Sequence, residues 1–464
     1  MKGKMAVPLI RALKELHFFV SAAMFAFVCQ FFYGNFYSIY TDTKRYLLIV
    51  AAYMIVLVFM RHTYSVYSID LSTVGKLIYS QTMSHIVSGG AMYILFFVDY
   101  FDYTFVNPLP IISLVFVQLL WNCVWSYAAN KVYFKLFKQK RSVMIYRNKS
   151  DFKRLQEVYN HKNIFKIEKL IENPDEDIYY LIEETNGYDA IFVAGISASL
   201  RNGIIKSCID RNIPCYIAPH VGDVILMGAE HIEQFSVPVF CASRKYVKGE
   251  YALFKRSFDI FASLLGIIIT SPLMLLTAVA VRTYDGGPAL YKQTRLTKNS
   301  KEFKILKFRS MKINAESDGV ARLAAENDSR ITPIGKVIRA CRLDELPQLF
   351  NILKGDMSFV GPRPERPEIA EQYENKMHAF NLRLQVRAGL TGFAQVYGKY
   401  NTDPYDKLQM DLMYINNMSP ILDLKMLLAT FKILFVKDST SGIEAGCVTA
   451  SDELEEKTPI SSNG

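Results

Sequence analysis

Apolar and polar positions divide the chain into regions of different character. Apolar stretches fall near residues 16–34, 46–60, 78–98 and 109–129. Each approaches the roughly 20 residues that a helix needs to cross a ~30 Å hydrocarbon core. From residue 141 the pattern changes to short β-branched runs, SVMIY at 142–146, AIFVAG at 190–195 and NIPCYIAP at 212–219. Charged helical segments around 150–160 and 174–186 are interleaved with them, which predicts a small α/β unit with a parallel sheet over 141–245. A further run of span length opens with Lys255-Arg256-Ser257-Phe258-Asp259 and stays apolar to Arg282. The chain is then soluble in character from Tyr291 to Phe435. The last segment, 438–464, has six carboxylates against one lysine and reads as a disordered acidic tail.

Loop charge orients the membrane part. Lys2, Lys4, Arg11 and Lys14 precede the first span, Arg61 and Lys76 lie between the second and third, and a lysine-rich segment from Lys131 to Arg141 follows the fourth. The third loop, Asp99 to Pro108, has neither Lys nor Arg, whereas the first carries Lys44 and Arg45 as a mild exception. This places the N-terminus inside, with four spans over 1–135 and everything after Lys131 in the cytosol. The second span is short, His85 and Ser88 make the third partly polar, and no small-residue cleavage site follows the first, so it reads as retained. In the later apolar run Ser271-Pro272 sits at the middle, and cations flank both ends. Proline removes a backbone donor and breaks or kinks a helix, so this segment (255–283) reads as a re-entrant hairpin and not as a fifth span.

Composition narrows the function. A length of 464 residues accommodates two or three domains, and 51% hydrophobic with 21% charged residues fits apolar spans segregated from polar domains. A net charge of +10 suits an anionic membrane face or phosphate-bearing substrates; no basic stripe with interleaved aromatics supports a nucleic-acid reading. Seven scattered cysteines form no CxxC pair, and the histidines show no HxxxH or HEXXH spacing, which argues against a disulfide framework or a zinc site. The turn after the first strand of the α/β unit, Tyr146-Arg147-Asn148-Lys149-Ser150, has no glycine. A pyrophosphate could not approach its backbone, so that unit reads as structural or regulatory.

The phosphate-type residues lie beyond 291. In FKILKFRSM (303–311), a strand would put Ile305, Lys307 and Arg309 on one face, either as a diphosphate cradle or as charged gatekeepers of an edge. Thr332 and Pro333 begin a helix with apolar positions 334, 337, 338 and 341, and Pro347 marks a break or a second start. Asp344 and Glu345 therefore sit at a helix boundary beside Arg339 and Arg342, where adjacent carboxylates can converge. Such a pair could bind a divalent cation, supply a nucleophile to phosphorus, or form a surface ion-pair cluster. Prolines around Arg363 stiffen a loop that could preorganise its guanidinium for phosphate. Arg387-Ala388-Gly389-Leu390-Thr391-Gly392-Phe393-Ala394-Gln395-Val396 fits a loop approaching a nucleotide, or a tight turn.

Together these strings resemble the bacterial sugar transferases, the monotopic phosphoglycosyl transferase superfamily. That family carries KR-x-FD, a Ser-Pro break, a KFR-[ST]-M strand, LDELPQ, KGDMS-[FL]-VGPRP and V-R-x-G-[IL]-TG-x-AQV, all present here in order over 255–435. The N-terminal architecture is similar to that of the long polyprenyl-phosphate hexose-1-phosphate transferases of exopolysaccharide and capsule synthesis. The resemblance implies a four-helix transmembrane bundle, a degenerate Rossmann-like α/β domain and a mixed α/β catalytic domain (250–437) held by a re-entrant helix broken at Ser271 and Pro272. It implies transfer of a sugar phosphate from a nucleotide-sugar, a UDP-hexose, to polyprenyl phosphate. Asp344 would be the nucleophile, and Glu345 would complete the pair that holds Mg²⁺. Lys307, Arg309, Arg339, Arg342, Pro362, Arg363, Arg387 and Gln395 match the family's phosphate- and substrate-binding positions. It also implies a homodimer in the bacterial inner membrane with its catalytic domain on the cytoplasmic face. Ala388 and Phe393 stand where many members have proline and tryptophan, in the loop expected to touch the donor. The competing readings are a membrane-tethered nucleotide-sugar dehydratase or epimerase, which needs a glycine-rich turn and a YxxxK pair, and a non-enzymatic assembly protein.

Overall fold

The computed structural model describes residues 2–33, 43–99, 106–160, 164–174, 177–232, 239–244, 249–313, 330–398 and 402–433. The expected acidic tail, 438–464, lies outside them. The chain divides into two compact units, Met1–Ala218 and Pro219–Gly464.

The first unit begins with helices α1 (Lys2–Tyr33), α2 (Thr43–Thr63), α3 (Val74–Asp99) and α4 (Leu109–Leu136). Their burial is inverted relative to a water-soluble bundle. Phe31 and Ile55 are 65% and 70% exposed, whereas Gln81, Gln118 and Asn122 are fully buried. Apolar surface of this kind is stable against lipid, and interior polar groups in such a bundle must find partners within it. His17 does so, bonding Tyr67 Oη at 2.9 Å and Asn122 Oδ1 at 3.0 Å. Among the described residues, the helices long and apolar enough to cross a membrane are Ala6–Tyr33, Lys44–Thr63, Leu109–Leu136 and Gly249–Asp285. The segment expected as the third span forms the helix α3 but is not among these, because Ser80, Gln81, Ser84, His85 and Ser88, all buried, give it a more polar sequence.

The sheet follows with β1 (Lys140–Tyr146), α5 (Lys149–Asn160), β2 (Phe165–Glu172), α6 (Ile178–Glu184), β3 (Ala190–Ala194), α7 (Ala198–Asp210) and β4 (Cys215–Ile217). The strands are all parallel in the order β2-β1-β3-β4. The first strands of a Rossmann sheet run 3-2-1-4, whereas 2-1-3-4 is the flavodoxin-type doubly wound order. The expectation of a parallel α/β unit is therefore met, but the strand order is not that of a Rossmann sheet. Asn148 Oδ1 accepts from Asp151 N at 2.9 Å in the turn after β1, capping α5 where a dinucleotide site would need glycine.

The second unit contains α8 (Val221–Met227), the hairpin β5 (Glu230–Ile232) and β6 (Val239–Cys241), and the long helix α9 (Gly249–Asp285). β5 and β6 form a two-stranded antiparallel sheet. The break expected at Ser271-Pro272 is not an interruption, because α9 is a continuous helix of 37 residues with Pro272 inside it. Proline at 272 leaves the carbonyl of Ile268 without its helical donor. Ser271 Oγ donates to that same carbonyl at 2.8 Å, which lets the helix continue through the proline.

Beyond α9 come the antiparallel hairpin β7 (Leu290–Leu296) and β8 (Glu302–Phe308), then α10 (Pro333–Ala340), a 3₁₀ turn at Leu343–Glu345, and α11 (Gln348–Lys354). The parallel pair β9 (Met357–Val360) and β10 (Ala388–Thr391) flanks α12 (Pro367–Met377), and α13 (Phe393–Tyr397), α14 (Pro404–Asn416) and α15 (Pro420–Ile433) complete the unit. One core cluster joins Phe303, Ile305, Leu349, Ile352, Met357 and Ala388, with Ile267 of α9 packed against it. A second joins Met274 and Val281 of α9 to Phe308 and Ile338.

Candidate active site

Local sequence builds a carboxylate pair at a helix junction. Thr332 caps α10 as expected, its hydroxyl accepting from Gly335 N at 2.9 Å, with Pro333 in the first turn. A Cβ at Gly335 would lie 1.9 Å from the Ser310 carbonyl, so glycine lets α10 close onto the end of β8. The helix ends at Ala340, and Arg342, in the left-handed conformation (φ 56°, ψ 18°), leads directly into the 3₁₀ turn carrying Asp344 and Glu345. Pro347 then starts α11. The pair thus sits between two helices, as its sequence position predicts.

Cations converge on it from three elements. Lys307 Nζ of β8 donates to Glu345 Oε1 at 3.0 Å, and Arg342 Nη1 lies 3.9 Å from Glu345 Oε2. Burial alone would raise Glu345, but the charges of Lys307, Arg363 and Arg342 outweigh it and hold the carboxyl below the usual range. Asp344 is buried, and burial followed by the neighbouring Glu345 charge pushes its carboxyl up, against the pull of Lys307, Arg339 and Arg342. Two adjacent carboxylates with oppositely shifted affinities for protons are suited to different tasks.

The loop carrying Arg363 is placed by glycines. Gly361 N donates to Thr391 O and Gly389 N to Pro362 O, both at 2.8 Å. A Cβ at Gly389 would meet the Gly361 nitrogen at 2.1 Å, and one at Gly392 would meet the Gly361 carbonyl oxygen at 2.2 Å. The two expected loops therefore interlock through backbone, and only glycine permits that approach. Pro362 is buried, whereas Arg363 and Arg387 are exposed.

Lys307 and Arg342 are thus brought to the acidic pair, and the charges of Arg339 and Arg363 act on it. Arg309 is not: its Nη1 and Nη2 grip both carboxylate oxygens of Asp285, and its Nε donates to Pro288 O at 2.8 Å. Gln395 turns to its own loop, Nε2 donating to Leu390 O at 3.2 Å. Of the departures from the family pattern, Ala388 is a core residue of β10, and the Phe393 ring packs on Tyr397 with centroids 4.6 Å apart. Sequence reading missed Asp285, and also Asn351, which staples α11 to β8 by accepting from Leu306 N and donating to Lys304 O, both at 2.9 Å. It also missed Arg295, Arg383 and Asp411 behind the Arg363 loop; a carboxylate flanked by Met410, Leu412 and Met413 in α14 was the available signal for Asp411.

Among the described residues no group of three or more His, Cys, Asp or Glu side chains converges to hold a metal. Asp344 and Glu345 alone supply two hard carboxylate donors. That set fits a Mg²⁺ completed by water and substrate phosphates, and it does not fit a metal enclosed by protein ligands.

A buried carboxylate and a neighbour paired with Lys307, in an α/β unit that carries the long apolar helix α9, belong to a mixed α/β membrane protein. Residues 250–437 match the bacterial sugar transferase family, and the chain belongs to it. It is 43% identical over 187 residues (40% of this chain, 44% of the other) to a UDP-N-acetylgalactosamine-undecaprenyl-phosphate N-acetylgalactosaminephosphotransferase of Aeromonas hydrophila. It is 35% identical over 283 residues (54% and 60%) to a UDP-glucose:undecaprenyl-phosphate glucose-1-phosphate transferase of Klebsiella pneumoniae. A protein of the latter description from Caulobacter vibrioides is 39% identical over 190 residues, which cover 40% of this chain and 71% of that one. The chain spans about half the length of the first curated relatives it matches, 44%, 60% and 50%.

Proposed function

We propose that this protein transfers a sugar 1-phosphate from a UDP-hexose to a polyprenyl phosphate such as undecaprenyl phosphate, the first membrane step of a bacterial surface glycan. The observation that carries this reading is the Asp344–Glu345 turn held among Lys307, Arg339, Arg342 and Arg363. A carboxylate oxygen of Asp344 attacks the phosphorus that bears the sugar. The bond from that phosphorus to the bridging oxygen breaks, and UMP leaves with the electron pair. A phosphate oxygen of the carrier lipid then attacks the same phosphorus, which frees the Asp344 carboxylate and yields polyprenyl-diphosphate-sugar. Lys307 and Arg342 keep Glu345 ionised beside the diphosphate, and Arg363 is the exposed guanidinium available for bidentate contact with it. Asp344 and Glu345 would hold Mg²⁺, which when bound supplies charge neutralisation on the diphosphate.

The seating of α9 supports a site at one membrane face. Near its start Lys255 pairs with Asp423 at 2.7 Å, and Arg256 donates to the Ile352 and Leu353 carbonyls at 2.7 and 2.8 Å. At its end Asp285 holds Arg309, and Val281 packs with Phe308 and Ile338. Both ends of a helix about 55 Å long are fixed to the same α/β domain, while Phe261, Ile269, Leu275 and Leu276 are exposed on it. A helix held in this way suits insertion into one leaflet, with the domain on the cytoplasmic side where UDP-sugars are found. This supports both ends of α9 lying at one face; the hairpin break expected at Ser271-Pro272 is no part of that support. The homodimer implied by the family resemblance is tested by light scattering in detergent.

The direct test is intact-protein mass spectrometry after incubation with UDP-hexose in the absence of acceptor. The wild type gains the mass of a hexose phosphate, and Asp344→Asn does not. A gain retained in Asp344→Asn excludes this residue as the nucleophile.

A further inference from the structure

Behind the Arg363 loop lies a buried charge network that the transfer chemistry does not use. The loop reads Gly361-Pro362-Arg363-Pro364-Glu365-Arg366-Pro367. Its prolines have no N–H, so it can pin itself with few backbone donors, and its buried carbonyls need donors from elsewhere. Two guanidiniums supply them. Arg383 Nη2 donates to the carbonyl of Arg363 itself at 2.9 Å. Arg295 Nη1 donates to the next carbonyl, Pro364 O, at 3.1 Å. Arg383 is 5% exposed and its Nη2 lies 2.7 Å from Oδ2 of Asp411, a carboxylate of α14 that is 1% exposed. Glu365, within the loop, lies 3.7 Å from both arginines.

We propose that Arg383 and Asp411 are positioning residues: a buried ion pair that fixes the backbone of Arg363, and through it the guanidinium acting on the Asp344–Glu345 pair. Stability alone is a poor reason to keep such a pair, because apolar replacements of buried ion pairs are often neutral or stabilising. Geometry gives a better one. The Arg383 fork ends on the main chain of the residue that carries the exposed cation, and Asp411 fixes the fork. The inference rests on the transferase reading for what Arg363 does, but not for how it is held.

A double-mutant cycle tests it. Arg383→Lys, Arg363→Ala and their combination are compared in UMP release from UDP-glucose with undecaprenyl phosphate, and in UDP binding by calorimetry. Arg383→Lys is expected to lower kcat/KM about 100-fold in the wild-type background, the scale of a displacement near 1 Å. In the Arg363→Ala background the further loss should be under about threefold, because the group it positions is gone. Equal losses in both backgrounds would overturn the proposal and leave the pair a folding element. If Arg383→Lys gives no cooperative thermal transition, the isosteric Asp411→Asn replaces it in the same cycle, with the same non-additivity expected and additivity again overturning it. A wild type that binds UDP but releases no UMP from any UDP-sugar counts against the transferase reading, and the binding cycle still decides the positioning.

Discussion

Replacing Lys307 by methionine keeps the stem of the side chain and removes the cation that contacts Glu345. The pair is largely buried, with side chains 22% and 17% exposed at 3.0 Å. A hydrogen bond to a charged group contributes roughly 1.5–3 kcal/mol, and stranding one partner of a fully buried pair costs about 3–5 kcal/mol. Here Arg342 at 3.9 Å and the charge of Arg363 still stabilise the carboxylate, which places the loss near the lower range, about 2 kcal/mol. For a domain of this size that is a fall in Tm of about 4–8 °C, read by circular dichroism of the detergent-solubilised protein. The pH dependence adds a signature. Glu345 is held down in the folded state, so its contribution is present above the unfolded value of about 4.3 and is lost as pH falls through the lower folded value. The gap between wild type and Lys307→Met should therefore be full at pH 7 and close on acidification below about pH 4. Lys304, exposed on the same strand, provides the control, since Lys304→Met should change stability by no more than about 0.5 kcal/mol. If Lys307→Met melts with Lys304→Met at pH 7, the ion pair does not hold the turn as argued.

Arg309→Met should lower the melting temperature, because it removes the guanidinium that bonds Asp285 and the Pro288 carbonyl, yet UDP affinity measured below the melting range should stay within about twofold of wild type; a selective loss of UDP binding would return Arg309 to the phosphate site. Gly389→Ala places a Cβ 2.1 Å from backbone at Gly361, which should cost about 1–3 kcal/mol and lower UMP release by separating the two loops; an unchanged melt would show that they can part freely. Asp411 is pushed up to about 6, first by burial and against the pull of Arg383. A folded value above the unfolded ~3.9 penalises folding at pH 7 and releases the penalty as pH falls from about 6 to 4, so Asp411→Asn should flatten the stability profile in that window; an unaltered profile would refute the assignment.

The acidic pair was legible because its markers are local: Thr332 and Pro333 open a helix, and Pro347 opens the next, which leaves Asp344 and Glu345 at the junction. The interlocking of the Arg363 and Gly389 loops was legible only as two glycine- and proline-rich strings, since their pairing depends on the parallel register of β9 and β10. Arg309 read as a phosphate ligand because its partner Asp285 stands outside the motif, at the end of α9. β2 went unread because Phe165–Glu172 mixes charged with apolar residues and is an edge strand on which only Phe165 is buried, so it resembles a solvated segment until its pairing with β1 is seen. The run from 255 to 283 read as broken at Pro272 because proline was weighed without the hydroxyl beside it; Ser271 Oγ satisfies the carbonyl that the proline leaves open.

The central claim is most directly tested by UMP release from UDP-hexose by the purified protein in detergent with undecaprenyl phosphate, comparing wild type with Asp344→Asn. Acceptor-dependent release by the wild type is expected, with a loss of at least about 10⁴-fold in the variant, the scale of removing a nucleophile. Release by Asp344→Asn at the wild-type rate, or none by the wild type with any UDP-hexose, would contradict it.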